Sequence, residues 1–128
     1  MLVDTTVWVD FFRGKETRQV ATLEKAILQR DNIFYCGLVL TEILQGISNA
    51  KQSQLLKSHF NSLLYLDMHR DVYLHAADIY VILRQKGITV RKTIDCLIAA
   101  LAISHKIPLL HNDRDFHPIK KHCGLNCI

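Results

Sequence analysis

The chain has 128 residues, 49% of them hydrophobic, and 16 Lys and Arg against 12 Asp and Glu give a formal net charge of +4. Such a chain can bury about two-thirds of its unfolded surface in one core, so we expect a single domain over residues 1–128. Its longest nearly apolar stretch, 94–103, is shorter than the about 20 residues of a membrane span. Because the N-terminus also lacks a signal-peptide pattern, we predict a cytoplasmic protein without a transmembrane helix.

Short apolar runs alternate along the chain with longer helical patterns. The predicted strands are 1–3, 33–36, 64–66, 108–110 and 126–128. The predicted helices are 7–13, 17–30, 38–47, 51–63, 70–86 and 93–105. This alternation predicts an α/β fold with a parallel sheet covered by helices. Gly87 is the predicted stop of the fifth helix and Thr93 the predicted N-cap of the sixth.

Four acidic residues stand where the chain otherwise predicts buried core or the end of a core strand: Asp4, Glu42, Asp95 and Asp113. Burying an unpaired carboxylate is costly, so such a group normally protonates, pairs with a cation or binds a metal. Asp4 and Asp113 each follow a short strand, and ligands of open parallel sheets bind at the carboxyl ends of strands. Their alternative roles are local: Asp4 as a helix N-cap, and Asp113 or Asp115 in an Asx turn.

The two acids inside helical patterns differ in how they sit on their helices. Asp95 begins a helix that is apolar nearly all round, which predicts a central helix, although an acid there also complements the helix dipole. Glu42 falls on the outward face of its helix and is compatible with a plain surface role. Asp78 lies opposite the apolar stripe of its own helix, so we expect it to be solvated.

A cluster of these acids requires a cation. Two carboxylates about 4 Å apart repel each other by roughly 4 kcal/mol at an effective dielectric constant of 20. Oxygen ligands favour Mg²⁺, with Mn²⁺ possible, and such a site supports hydrolysis of phosphodiester bonds. Three cationic residues lie beside the proposed ligands and are candidates for holding the phosphates of a nucleic-acid strand: Arg91, Lys92 and Arg114. The mildly basic composition is compatible with a polyanionic partner.

The C-terminal segment contains zinc-ligand residue types in the arrangement His117-x4-His122-Cys123-x3-Cys127. The spacing of a known zinc site is missing, so a polar C-terminal segment is the favoured interpretation. Cys36 and Cys96 fall inside apolar runs and are expected to be buried thiols.

Three segments together resemble a PIN-domain ribonuclease and, within that superfamily, the VapC toxins of toxin-antitoxin pairs. They are MLVDTTVWVDFFRG, TEILQG, and TIDCLIAALAISHKIPLLHNDRDF. The resemblance spans essentially the whole chain and implies an α/β/α sandwich with a mostly parallel sheet of about five strands. Asp4, Glu42, Asp95 and Asp113 match the metal-site positions of the family, with Asp115 ranked behind Asp113. Thr6 matches a hydroxyl residue that supports the first Asp, and His111 replaces a Thr or Ser found in many relatives.

The resemblance also implies a function and partners. It predicts a Mg²⁺-dependent endoribonuclease that acts as the toxin of a toxin-antitoxin pair, with structured RNA as substrate and tRNA as the leading candidate. The implied partners are a VapB-like antitoxin and a second copy in a homodimer, with a higher assembly when the antitoxin is bound. Two alternatives stay open: a catalytically silent RNA-binding or protein-interaction module on the same fold, and a receiver-like phosphoacceptor domain. The latter is disfavoured because Asp4 stands alone where a receiver domain carries paired acids, and His111–Asp113 stand where it carries a Lys at the end of a late strand.

Overall fold

A computed structural model of the chain describes all 128 residues. The strands are β1 (Leu2–Val3), β2 (Phe34–Cys36), β3 (Leu64–Leu66) and β4 (Leu109–Leu110). The helices are α1 (Thr5–Phe12), α2 (Arg18–Leu28), α3 (Gly37–Gln45), α4 (Ala50–Phe60), α5 (Arg70–Gln85), α6 (Thr93–Ser104) and α7 (His117–Cys123), with a 3-10 helix at Arg114–Phe116. The predicted alternation of strands and helices is therefore confirmed.

The four strands form one parallel sheet in the order β3-β2-β1-β4. Leu2 pairs with Phe34 on one side and with Leu109 on the other, which places β1 near the middle of the sheet. The fifth strand predicted at residues 126–128 is reduced to a single parallel bridge between Leu109 and Cys127. The α/β architecture is confirmed, with four strands instead of about five.

The central strands are buried on both faces, as parallel strands covered by helices require. Leu2, Val3 and Leu109 are fully inaccessible to solvent. Helix α6 is the central helix that its composition predicted, because every residue from Ile98 to Ala102 is buried. None of the helices is long and apolar enough to cross a membrane.

Helix boundaries match the predicted ones within a few residues, with two corrections. Gly87 does end α5, with a left-handed φ of 74°. Thr93 is not an N-cap: Lys92 holds that position, and no side chain caps α6. The C-terminal segment is not simply a polar tail, because it forms α7, with Pro118 in the first turn. Proline is well suited to that position because its missing N–H has no partner there anyway.

The sheet topology brings the acidic segments to one edge. Asp4 directly follows β1, and the turn from His111 to Asp113 directly follows β4, its hydrogen-bonded neighbour. The Asp4 amide donates to the Leu110 carbonyl at 2.9 Å, which joins the two segments where the strands end. Helix α3 begins immediately after β2 and carries Glu42 along the same edge.

Candidate functional site

Asp4 is buried, with 3% of its surface exposed, and it caps α1. Its Oδ2 accepts hydrogen bonds from the Thr6 amide at 3.0 Å and from the Thr6 hydroxyl at 2.6 Å. The N-cap role considered from the sequence and the placement at the sheet edge are therefore both present. The Thr6 hydroxyl in turn accepts from the Asn112 amide at 3.1 Å, so this chain of hydrogen bonds links Asp4 to the turn after β4.

Asp95 lies in the first turn of α6 and is 5% exposed. Burial raises the pKa of its carboxyl from 3.8 to about 7, because the charged form loses hydration there; the ammonium of Lys92 opposes this effect and the charge of Asp4 adds to it. Lys92 Nζ lies 3.7 Å from Asp95 Oδ2, outside hydrogen-bonding distance. Asp95 is thus a carboxylate whose charge the protein alone compensates poorly.

Asp113 and Asp115 lie together at the start of the 3-10 helix. Asp113 Oδ1 accepts from the Asp115 amide at 2.9 Å, and Asp113 Oδ2 accepts from Lys92 Nζ at 3.0 Å. Burial by itself would raise the pKa of Asp113, but these two bonds reverse the effect and hold that pKa below its ordinary value. Asp115 is paired with the guanidinium of Arg91. The local turn expected for this segment therefore also presents both carboxylates to the site.

The structure brings Asp95, Asp113 and Asp115 together, with one carboxylate oxygen of each lying within 4.8 Å of the others. An all-oxygen donor set of this kind suits a hard divalent cation such as Mg²⁺ or Mn²⁺ better than zinc. The raised pKa of Asp95 points the same way, because a bound cation would compensate the charge that burial destabilises. The residues present therefore fit a divalent metal ion.

Asp4, Asp95 and Glu42 line one cavity of about 330 Å³. Glu42 is half-buried, and its Oε1 accepts from the hydroxyl of Thr5 at 2.8 Å. Its place in this cavity separates it from the plain surface residue considered from the helical phase, whereas Asp78 is exposed as expected. Asp95 belongs both to this cavity and to the cluster with Asp113 and Asp115, so the other four predicted acids lie around Asp95.

Sequence reasoning missed Asp10, a buried acid of α1 with 7% of its surface exposed. Its Oδ2 accepts from Asn112 Nδ2 at 2.9 Å, and its Oδ1 lies 3.2 Å from Lys15 Nζ. The hydrogen bond from the side-chain amide of Asn112 and, to a lesser extent, the ammonium of Lys15 hold the pKa of Asp10 below its ordinary value. One signal was available: Asp10 follows Thr6 by four residues and therefore shares its face of α1. Asp10 lines the same cavity as Asp4, together with Thr6, Lys15 and Asn112.

The three predicted phosphate-binding residues differ in their surroundings. Lys92 and Arg91 form ion pairs with the acidic cluster, whereas Arg114 is exposed and forms no ion pair. His111 is buried, and its Nδ1 accepts from the Asp113 amide at 3.2 Å. Burial lowers the pKa of His111, which keeps the ring neutral and able to accept that bond. The imidazole thus provides a hydrogen bond to the acidic turn.

The chain was compared with known proteins. The family profile described as PIN domain matches residues 1–121. The VapC ribonuclease Mb1587 of Mycobacterium bovis is 36% identical over 125 residues, which cover 94% of this chain and 92% of that protein. Ribonuclease VapC11 of Mycobacterium tuberculosis strain H37Rv matches with the same identity and coverage.

Solved structures share the fold at lower sequence identity. The structure of VapBC2 from Rickettsia felis bound to a promoter DNA fragment superposes with a TM-score of 0.77 at 20% identity, covering 99% of this chain and 96% of that one. VapBC-1 from nontypeable Haemophilus influenzae gives the same TM-score and identity, covering 99% of this chain and 95% of the other. These superpositions establish the likeness of the fold.

Proposed function

Because this chain belongs to the PIN-domain family and, within it, to the VapC ribonucleases, we propose that it is a metal-dependent endoribonuclease acting as the toxin of a toxin-antitoxin pair. The observation that carries the proposal is the convergence of Asp95, Asp113 and Asp115 at one end of the sheet. Without a bound cation, repulsion between these carboxylates would destabilise the folded protein. A catalytically silent module would leave this arrangement unexplained.

The metal ligands in this proposal are Asp95, Asp113 and Asp115. Asp4 and Glu42 line the adjoining cavity and would contact the metal directly or through water. When bound, Mg²⁺ or Mn²⁺ supplies Lewis-acid polarisation of the phosphate and activation of water for hydrolysis. The protein fixes the ligands: Thr6 orients Asp4, and the Asp115 amide orients Asp113. Such bonds hold the carboxylates in place before the ion arrives, which lowers the cost of binding it.

Structured RNA is the proposed substrate, with tRNA the leading candidate. The support is electrostatic, since the protein carries a net charge of +4 while its acids gather in one place. Arg114 is exposed beside the acidic cluster. Arg91 and Lys92 are paired with carboxylates of the cluster, and each can bind a phosphate oxygen there in place of its carboxylate partner. Sequencing the 5′ ends of RNA cleaved after induction in cells identifies the substrate and the bond.

A cleavage assay tests the proposal. Purified protein dialysed against chelator is incubated with tRNA and other structured RNA, with and without Mg²⁺ or Mn²⁺. Cleavage is expected only with the ion, and Asp4→Asn or Asp95→Asn should lower its rate by at least about a hundredfold. Asp78→Asn, which changes an exposed acid of α5, is the matched control. Full activity of both site variants would refute the metal-site assignment, and no cleavage by the wild type in Mn²⁺ would favour the silent module.

A VapB-like antitoxin is the proposed protein partner. The structures that share the fold include VapBC toxin-antitoxin complexes, and this chain has an apolar cavity of about 340 Å³ between α1 and α4 that offers a place for a partner segment. Phe12 and Leu55 are exposed there, with the apolar Ile47 beside them. An Arg of the partner would be well matched to the carboxylates of the site. Co-purification with the product of an adjacent gene tests this partner.

A homodimer is the remaining proposed assembly. Helix α5 packs against α6 and α7, yet its outer face exposes the large side chains of Tyr73, Leu74 and Tyr80. Contiguous exposed apolar and aromatic side chains are typical of protein interfaces. The solution mass of the purified toxin tests this proposal.

A further inference from the structure

Besides the cavity that contains Asp4 and Glu42, a second cavity of about 350 Å³ opens beside the acidic cluster. Asp95 and Asp115 form part of its wall, and Asp95 also lines the cavity that contains Asp4 and Glu42. A strand whose phosphate lies at the acidic cluster therefore has a cavity within reach beside that phosphate. The proposed metal ligation uses only the Asp95 and Asp115 side of this space, and the proposed cleavage chemistry uses none of the remainder.

The lining of the second cavity combines an apolar floor with a cationic rim. Leu83 and Ile119 are buried beneath it, and Ile88 and Val90 are half-buried. At the rim, the guanidinium of Arg91 is held by Asp115, while Arg114 and His117 are exposed. The site thus offers surface for a flat apolar face next to groups that attract phosphate.

We propose that this cavity binds an unpaired nucleobase of the RNA, immediately beside the phosphate held at the acidic cluster; the inference rests on the ribonuclease function proposed above. Single-stranded RNA is recognised by bases that leave the stack and pack against aromatic side chains or guanidinium planes. His117 and Arg114 provide those groups at the rim, and the floor excludes water from the base. The cavity therefore selects the nucleotide next to the cleaved bond.

The charge pattern favours RNA over a peptide as the occupant. A nucleotide carries its negative phosphate next to an apolar base face, which matches cations at the rim above an apolar floor. An extended peptide would need backbone hydrogen-bonding partners, but a strand edge is absent from the cavity lining, which comes from helices and loops. Binding of an antitoxin segment in place of RNA is an outcome that the experiment separates.

The experiment uses an oligonucleotide that contains the mapped cleavage site and analogues in which each nucleotide flanking the cleaved bond is made abasic in turn. For the wild-type protein, removing the base at one flanking position should lower kcat/KM by about tenfold, the scale of one stacked base. Fluorescence anisotropy in chelator should show a comparable loss of binding for the same oligonucleotide. The anisotropy measurement does not depend on cleavage.

Thr89→Trp is the test variant, because Thr89 is exposed and lines the cavity, so an indole there fills the space without disturbing the core. Ser104→Trp places the same side chain at the exposed far end of α6 and is the matched control. Thr89→Trp should weaken binding of the intact oligonucleotide by about tenfold and leave binding of the abasic analogue unchanged. Ser104→Trp should behave as the wild type with both.

Three outcomes overturn the inference, and the first two are an equal effect of Thr89→Trp on intact and abasic RNA and no loss on removing any flanking base. Loss of inhibition by the antitoxin with unchanged RNA preference would assign the cavity to the antitoxin, which also overturns it. Absence of Mg²⁺- or Mn²⁺-dependent cleavage by the wild type would instead refute the proposed function. In that case anisotropy with a tRNA-loop oligonucleotide made abasic at each position in turn still decides whether the cavity binds a base.

Discussion

Lys92 Nζ lies 3.0 Å from Asp113 Oδ2, so the N-cap of α6 is joined to the turn that follows β4. The same ammonium is 3.7 Å from Asp95, which puts one positive charge between two carboxylates of the acidic cluster. The Asp113 hydrogen bond and the charge of Asp95 outweigh burial and raise the pKa of Lys92, so it stays charged at neutral pH. Without a metal ion, Lys92 balances Asp113 and part of the charge of Asp95, while Arg91 balances Asp115.

We expect Lys92→Gln to bind Mn²⁺ more tightly than the wild type. The ammonium and the divalent ion compete for Asp113 and Asp95. Removing the ammonium should therefore lower the Kd about two- to fivefold, which corresponds to the free energy of a partly exposed ion pair. Electron paramagnetic resonance of free Mn²⁺ measures this Kd. Lys57→Gln on α4 is the control, and weaker Mn²⁺ binding by Lys92→Gln would show that Lys92 aids the metal site instead.

Asp95→Asn should stabilise the metal-free protein at neutral and alkaline pH. The pKa of Asp95 is about 7 in the folded protein and 3.8 when unperturbed, so the folded state binds the extra proton between these values. The cost of its buried charge is absent below about pH 4, grows as the pH rises and is complete above about pH 7. At about 1.4 kcal/mol per pKa unit, the gain from the substitution is on the order of a few kcal/mol.

Denaturant unfolding in chelator, followed by the fluorescence of the single tryptophan, Trp8, measures this difference across pH 4–8. The free-energy difference between Asp95→Asn and the wild type should grow with pH, and Asp78→Asn, which changes an exposed acid of α5, is the control. A difference that does not change with pH would contradict the raised pKa of Asp95.

Asp10→Ala should lower both stability and cleavage. The substitution leaves the Asn112 amide without its partner, which costs about 1 to 3 kcal/mol, and frees the turn that carries Asp113. Because the pKa of Asp10 is held down in the folded protein, its contribution is fully present above the unfolded pKa near 3.8 and is lost as the pH falls through the folded value.

The matched control for Asp10→Ala is Lys15→Gln, which removes only the exposed partner of Asp10 and should cost no more than about 1 kcal/mol. Chemical unfolding and the cleavage rate are measured for both variants. If Lys15→Gln lowers activity as much as Asp10→Ala at unchanged stability, Lys15 contacts the RNA and the bond to Asn112 is secondary.

Tyr80→Glu should shift the toxin from dimer to monomer. A charge on the exposed face of α5 would be desolvated in the proposed interface between two copies, whereas the isolated monomer tolerates it because Tyr80 faces solvent. Light scattering coupled to size-exclusion chromatography measures the mass. Gln85→Glu, at the end of the same helix, is the control, and a dimer that persists in Tyr80→Glu would place the interface elsewhere.

Much of the fold followed from local patterns. The apolar runs at 1–3 and 108–110 contain the neighbouring strands β1 and β4, and the nearly uniform apolar composition after Asp95 identified the central helix. Boundaries that depend on tertiary contacts were less accessible. The fifth strand shrinks to one bridge at Cys127. Lys92 takes the N-cap position of α6, but its side chain turns to Asp113 instead of capping the helix.

Side-chain periodicity and chain order are local properties, so they were enough to predict the parallel α/β order and the acidic residue types at strand ends and in the central helix. Which carboxylates approach one another depends on contacts between distant segments, which local patterns do not contain. Asp95, Asp113 and Asp115 converge, Glu42 turns into the cavity beside Asp4, and Asp10 joins through Asn112. Carboxylates from separate segments meet only when β1 and β4 pair side by side, and hydrogen bonds and charges that act through space then set their pKa values.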